Sequence, residues 1–396
     1  MAAKDKLAQF KSSGNPGYEV GTEYLTPILG ISALFGIVPL TGRQRGKKRA
    51  SVSSEIYHGQ NAEVNISFLT YLLWVIHFII NTITFDTKLE SANANINQSG
   101  FSQCFEQNYC FRYAMFITQT IRPTFALIMV ILKAMRVSKF LQQLKILLKN
   151  QLFRTNVPYY MGKYLVYAFL LVYTIVFWYF TEYRAADQIF FYLNKMVPFI
   201  LDFFIIALLS VIKKCFQNIN IEVRKLTKNF EKGKLQTIML LHWNLNDLVE
   251  EVDGNFAMII LVGLVCTVME VILLLFYFIE TTSRGNVVIR NIIQDIVLLT
   301  RIVLLCKAGS DIVQQHNETL VQLERLNRKR AKLLNGSEQS LVCLFCARLR
   351  NRISTISCGG YIDINLRFIT TIVGFVLMYW IVLIQLNDEH QKKQKS

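Results

Sequence analysis

Seven stretches of mainly apolar residues recur along this 396-residue chain, at approximately 66–84, 115–135, 161–181, 189–212, 257–279, 287–306 and 365–386. Each has about the 20 residues that a helix needs to cross the hydrocarbon core of a bilayer, and each is too long for a buried strand. In lipid every backbone N–H and C=O must be satisfied within the segment, which leaves the helix as the spanning structure. The sequence therefore predicts an all-α membrane protein with seven transmembrane helices. An eighth apolar run, Tyr24–Gly42, carries Pro27, Gly30, Gly36 and Pro39. These breakers suit a packed or membrane-surface element better than a span.

Lys and Arg resist translocation and collect on the cytoplasmic side, so the connecting segments set the orientation. Segments 1–65, 136–162, 213–256 and 307–363 together hold 29 basic residues, against 8 in 85–114, 182–190, 280–291 and 387–396. The N-terminus is thus expected in the cytosol and the C-terminus outside, the reverse of a G-protein-coupled receptor. The net charge of +16 raises nucleic acid as a partner. That partner is set aside because the basic residues lie between apolar runs instead of forming one patch with interleaved aromatics. The start of the chain, "MAAKDKLAQFKSSGNPG", has no apolar signal-peptide core, so internal helices are expected to drive insertion.

The chain divides accordingly. A cytoplasmic segment, 1–65, contains the packed element 24–42; a six-helix transmembrane bundle with intracellular extensions covers 66–306. A cytoplasmic amphipathic helix and linker occupy 307–363, a seventh helix 364–386, and a short outside tail 387–396. The stretch Asp311–Gly336 places Ile312, Leu320, Leu323, Leu326, Leu333 and Leu334 among charges, which predicts an amphipathic helix continuing the sixth span and closed by Gly336. Leu240–Ile259 has similar character. Together they predict a cytosolic helical anchor bundle, formed within one subunit or where subunits meet.

In the longest outer loop, Asn97 opens an N-x-[ST] acceptor pattern, while Cys104 and Cys110 form a disulfide or remain two free loop thiols. Cys343 and Cys346 form a lone C-x-x-C without the further ligands that zinc needs, so no metal site is expected. No phosphate-cradling, zinc-protease or nucleophile-elbow motif occurs, so neither an enzyme nor a cofactor is expected.

Ionisable and amide groups at membrane depth are costly and tend to face a bundle interior or a pathway. Depth counting puts Asn81, Gln119, Arg122, Glu270, Gln294 and Asp295 in the outer half of their spans, and Asp202 and Arg301 in the inner half. The outer group, with Trp178 and Tyr179 as apolar walls, predicts an outward-facing pocket for a small hydroxyl-rich molecule. Alternatively these groups neutralise one another, Arg122 with Glu270 or Asp295, and hold helices together without a ligand.

The final stretch, "CGGYIDINLRFITTIVGFVLMYWIVLIQLND", resembles the C-terminal signature of insect gustatory receptors, T-Y-x-x-x-x-x-Q-F on an apolar helix after a Gly-aromatic turn. Tyr379 and Gln385 match it at the right spacing; Met378 and Leu386 depart, standing where Thr and Phe are usual. "LTPILGISALFGIVPLTG" is similar to the family's N-terminal element, "LNDLVEEVDGNFAMIILVG" to the approach to its fifth span, and "LVEEVDGNF" to its sugar-sensing branch. The likeness covers essentially the whole chain.

The resemblance implies a ligand-gated, non-selective cation channel in the plasma membrane of a sensory neuron, a homo- or heterotetramer of such subunits embedded in lipid and opened by a small-molecule tastant. It implies that the seventh helices line the pore, with Gln385 and Leu386 near the outer constriction and Tyr379 and Val382 on the same helix. An odorant receptor shares this inverted plan and is the nearest rival reading. A secondary transporter is disfavoured by the lack of an internal repeat or paired broken helices.

Overall fold

The computed structural model describes residues 109–148, 185–280, 285–330 and 333–395, with isolated helical positions 75, 76, 79, 82, 83, 86 and 90. Its helices are α1 (Tyr109–Leu148), α2 (Ala185–Lys228), α3 (Lys232–Glu280), α4 (Gly285–Arg330), α5 (Gly336–Asn351) and α6 (Leu366–Lys395). Among the described residues the protein is all-α, its one departure being a small hairpin before α6 closed by a Ser357–Asp363 bridge. The predicted spans at 115–135, 189–212, 257–279, 287–306 and 365–386 fall within α1, α2, α3, α4 and α6. The span at 161–181 and the element at 24–42 lie outside the described residues, and the span at 66–84 is described only at the isolated positions.

The long helices exceed a bilayer. At 1.5 Å per residue the 49 residues of α3 extend about 74 Å, against a hydrocarbon core of about 30 Å. Among the described residues two stretches, Tyr113–Leu148 and Lys232–Leu275, are long and apolar enough to cross a membrane by length and composition. The predicted crossing of α3, 257–279, is its C-terminal half, and 232–256 continues the same helix beyond it. Sequence periodicity explains the packing there. Along α4 the buried positions Leu305, Ala308, Ile312, His316, Thr319, Leu323 and Leu326 are separated by three or four residues in turn, the seam of a coiled coil. On α2, Ile212, Cys215, Ile219, Val223 and Leu226 make the matching stripe, and α2 against α4 is the broadest helix interface, followed by α1 against α3. Helices α2, α3, α4 and α5 thus pack into a bundle within the one chain.

Helix α5 closes this bundle by burying Val342, Phe345, Cys346 and Leu349. It also corrects one expectation. Gly336 does not close the preceding helix, which ends at Arg330; it is the first residue of α5. The Asn335 backbone N–H donates to Glu338 Oε2 at 3.1 Å, half of a capping box, which gives the new helix its start. A second difference lies at the C-terminus: α6 continues to Lys395, so the segment expected as a short tail from 387 is helical.

At the centre of the bundle, His242 is fully buried between the rings of Phe216, Phe345 and His316, at centroid distances of 5.1, 5.6 and 5.2 Å. Neither of its ring nitrogens has a hydrogen-bond partner, and burial pushes its pKa down to about 3. His316 is also lowered by burial, against the opposing effect of its contact with the Leu349 carbonyl.

Candidate functional site

The polar residues of the spans meet in two layers. In the deeper one, Arg122 on α1 donates from Nη2 to Asp202 Oδ2 on α2 at 2.8 Å and from Nη1 to Thr267 Oγ1 on α3 at 2.7 Å. Arg301 on α4 reaches the same Asp202 oxygen through Nε at 2.8 Å, and through Nη2 as well. Four helices are thereby tied at one buried point. Gly263 makes room for it: a Cβ there would lie 3.5 Å from Arg122 Nη2 and 3.6 Å from Nε, so anything larger than a methyl group would displace the guanidinium. Thr267 spends its own hydroxyl proton on the Gly263 carbonyl at 2.7 Å, leaving its oxygen free to accept from Arg122.

One turn outward is the second layer, where Gln119 Nε2 donates to Glu270 Oε1 at 3.0 Å. The two pairs follow from antiparallel packing of α1 on α3: Gln119 and Arg122 are three residues apart on one helix, Glu270 and Thr267 three apart on the other. This arrangement also explains the burial of Arg122, Glu270 and Arg301 and the near-burial of Asp202. Removing a charge from water costs several kcal/mol unless it is paired and hydrogen-bonded, and each of them has a partner.

Gln119, Arg122 and Glu270 come together, but Arg122 pairs with Asp202 and not with Glu270. Asp202 and Arg301, assigned to the inner half and left out of the site, are central to it. Gln294 and Asp295 lie on α4 one to two turns outward of Arg301, with side chains not described. Asn81, Trp178, Tyr179, Asn97 and Cys104 lie outside the described residues. Cys110 stands in the first turn of α1, so its pairing with Cys104 falls outside them too. A signal for the missed pair was present: Asp202 and Arg301 are the remaining charges near mid-span, and a buried charge needs a partner.

On α6, the Tyr379 ring packs against Phe375 at a tilt of 50°, centroids 4.6 Å apart. Ile372 is buried and Phe368, Ile369 and Val376 are partly buried against the bundle, one stripe of the helix. Val373, Phe375, Leu377, Met378, Tyr379, Ile381 and Val382 are each 43–56% exposed, and Gln385 is exposed beyond them. Leu386 continues the helix, its side chain not described. Among the described residues there is no group of His, Cys, Asp and Glu able to hold a metal ion.

Among the described residues, long apolar helices tied at a buried ionic point and packed into one bundle have the character of a helical membrane protein. The chain belongs to the 7tm chemosensory receptor family, whose model matches residues 25–389. It is therefore a multi-pass protein of the plasma membrane, in a family of receptors and not of enzymes. No curated protein matches it. Among solved structures it resembles the insect olfactory receptor OR5 from Machilis hrabei in complex with eugenol, at 13% identity and a TM-score of 0.66, covering 92% of this chain and 98% of that one. A second structure of the same receptor matches at 12% identity and a TM-score of 0.65, covering 98% of this chain and all of the other. At such identity the likeness is one of fold.

Proposed function

We propose that the protein is a gustatory receptor acting as a ligand-gated, non-selective cation channel, opened by a small polar tastant of the sugar class. The observation that carries this reading is the signature Tyr379 and Gln385 on α6, a helix whose own subunit covers one stripe and leaves the other faces apolar and open. In a tetramer those faces meet lipid on one side and the pore on the other. Apolar side chains such as Val382 and Leu386 can close a pore by dewetting, and a ring of Gln385 amides can offer oxygens to a passing cation.

The ligand pocket lies outward of the Arg122–Asp202–Arg301 tie, which serves as its floor. Gln119, Glu270, Asn81, Gln294 and Asp295 supply amides and carboxylates that pair with hydroxyls, and Trp178 and Tyr179 cover C–H faces. In this reading 66–306 binds the tastant, 307–363 anchors the assembly, and 364–386 gates it. Ligand that fits the open arrangement better shifts the population toward it.

Whole-cell recording from cells expressing this chain tests the reading, with sugars and polyols in one panel and aromatic volatiles in another. The expected result is a cation current evoked by the first panel, with selectivity or block altered by Gln385→Ala. A current evoked solely by the volatiles would move the assignment to the odorant type, the reading favoured by the olfactory fold relatives. An extracellular N-terminal epitope tag, or currents indifferent to every Gln385 substitution, would overturn the proposed pore.

A further inference from the structure

Only Asn365 separates the small hairpin from α6, and that residue is spent on starting the helix: its Oδ1 accepts from the Phe368 N–H at 3.2 Å. Wherever Ile364 is held, α6 must begin. The hairpin is rigid in itself. Ile364 N–H donates to the Ile356 carbonyl at 2.9 Å, Cys358 N–H to the Ile362 carbonyl at 2.8 Å, and Gly359 and Gly360 make the turn at φ of 66° and 81°. Such angles favour glycine. Ile356, Cys358 and Ile364 are buried.

Two helices hold this block. From α3, Asp253 accepts the Ser357 N–H and hydroxyl, both at 2.9 Å. From α4 the contact is made by an absence. A Cβ on Gly309 would fall well inside hard contact with the Ile364 carbonyl oxygen, 3.3 Å from its carbon and 3.4 Å from its Cγ2. The obstructing atom is backbone and cannot swing aside as a long side chain would.

Resting on the reading of α6 as the pore helix, we infer that Gly309 is a positioning residue for α6. Its bare backbone seats the Ile364 carbonyl on α4 and so sets where the last helix starts and how it leans. Arg301 lies eight residues away on the same helix, about 12 Å, so α4 joins the buried tie to the seat of α6. A methyl group at 309 forces the carbonyl back by about 1 Å to reach ordinary contact. Gln385, 19 residues or about 29 Å beyond the start of α6, sits at the far end of that lever.

The test uses full-length receptor purified in detergent with Gln385→Cys, labelled by a water-soluble maleimide and read at that site by mass spectrometry. Gly309→Ala should change the labelling rate at least threefold. Gly254→Ala, the same chemical change beside Asp253 where nothing lies within 4 Å of the added carbon, should leave it unchanged. Ser357→Ala, which removes a hydroxyl contact to α3 without adding volume, should also change the rate and gives the reading if Gly309→Ala fails to fold. Parent-like rates in the variants that fold overturn the inference. Recording from the same variants keeps the two readings apart. Shifted labelling with no ligand-evoked current in any of them, the parent included, sinks the channel reading and leaves Gly309 as the seat of α6. A normal current with unshifted labelling does the opposite.

Discussion

Asp202 shows what one residue carries and why the sequence did not assign it. Two guanidiniums converge on its carboxylate, so charge is balanced for one of them and shared by the other. Removing the single anion leaves two buried cations facing each other, whereas removing one cation leaves an ordinary pair. Asp202→Asn should therefore cost about 3–5 kcal/mol, the range for breaking a buried pair, and Arg301→Met distinctly less. Thermal unfolding of the purified receptor checks the order; equal losses would mean that the shared anion carries no more of the tie than Arg301 does. That Arg122 needed a partner was legible from its place in an apolar span. The partner was not, because counting depth along separate spans gives neither the tilt nor the rotation of a helix. Arg122 and Asp202 fall on opposite sides of the midplane by count yet meet in space.

Helices were the more readable level. Apolar runs and the three-and-four spacing of Leu323, Leu326 and their neighbours located α4 and its continuation beyond the predicted span. The stop at Gly336 was misread because glycine also occurs in a helix's first turn, and the capping partners Asn335 and Glu338 were the better signal. The burial of His242 was not legible either, since α3 turns an amphipathic face whose partners come from α2, α4 and α5. A neutral imidazole held at about 3 binds fewer protons folded than unfolded, where its ordinary pKa is 6.5. Stability is then complete above pH 6.5 and falls as pH drops through the window between 6.5 and about 3. At pH 5 the loss is about 2 kcal/mol from this residue, with His316 adding in the same direction. Unfolding of the receptor between pH 7.5 and 5 should show it, and His242→Leu should remove most of the slope. An unchanged slope would mean that the ring is hydrated in the folded protein.

At the scale of the molecule, the all-α membrane class was readable from hydropathy, while assembly was not, because one chain's sequence does not say what covers α6. Between Val373 and Val382 the last helix carries seven large hydrophobic side chains 43–56% exposed, distributed around more of the helix than one lipid-facing stripe requires. If four copies place α6 around a common axis, the side facing that axis is repeated at close range in every subunit. Val382 is one turn outward of Met378 and one turn inward of Gln385, on the stretch assigned to the constriction. Val382→Cys then brings thiols from neighbouring subunits near one another, and a disulfide forms where the Cα atoms come within about 7 Å. Since each thiol bonds one other, oxidation should give a new dimer band, absent from the parent protein with its own cysteines. An amine-reactive cross-linker, free of that restriction, should give a ladder ending at four. On the proposed gating, ligand should slow the disulfide without shortening the ladder. A dimer band that forms at the same rate with and without ligand would place Val382 on a static contact between subunits and move the gate elsewhere along α6.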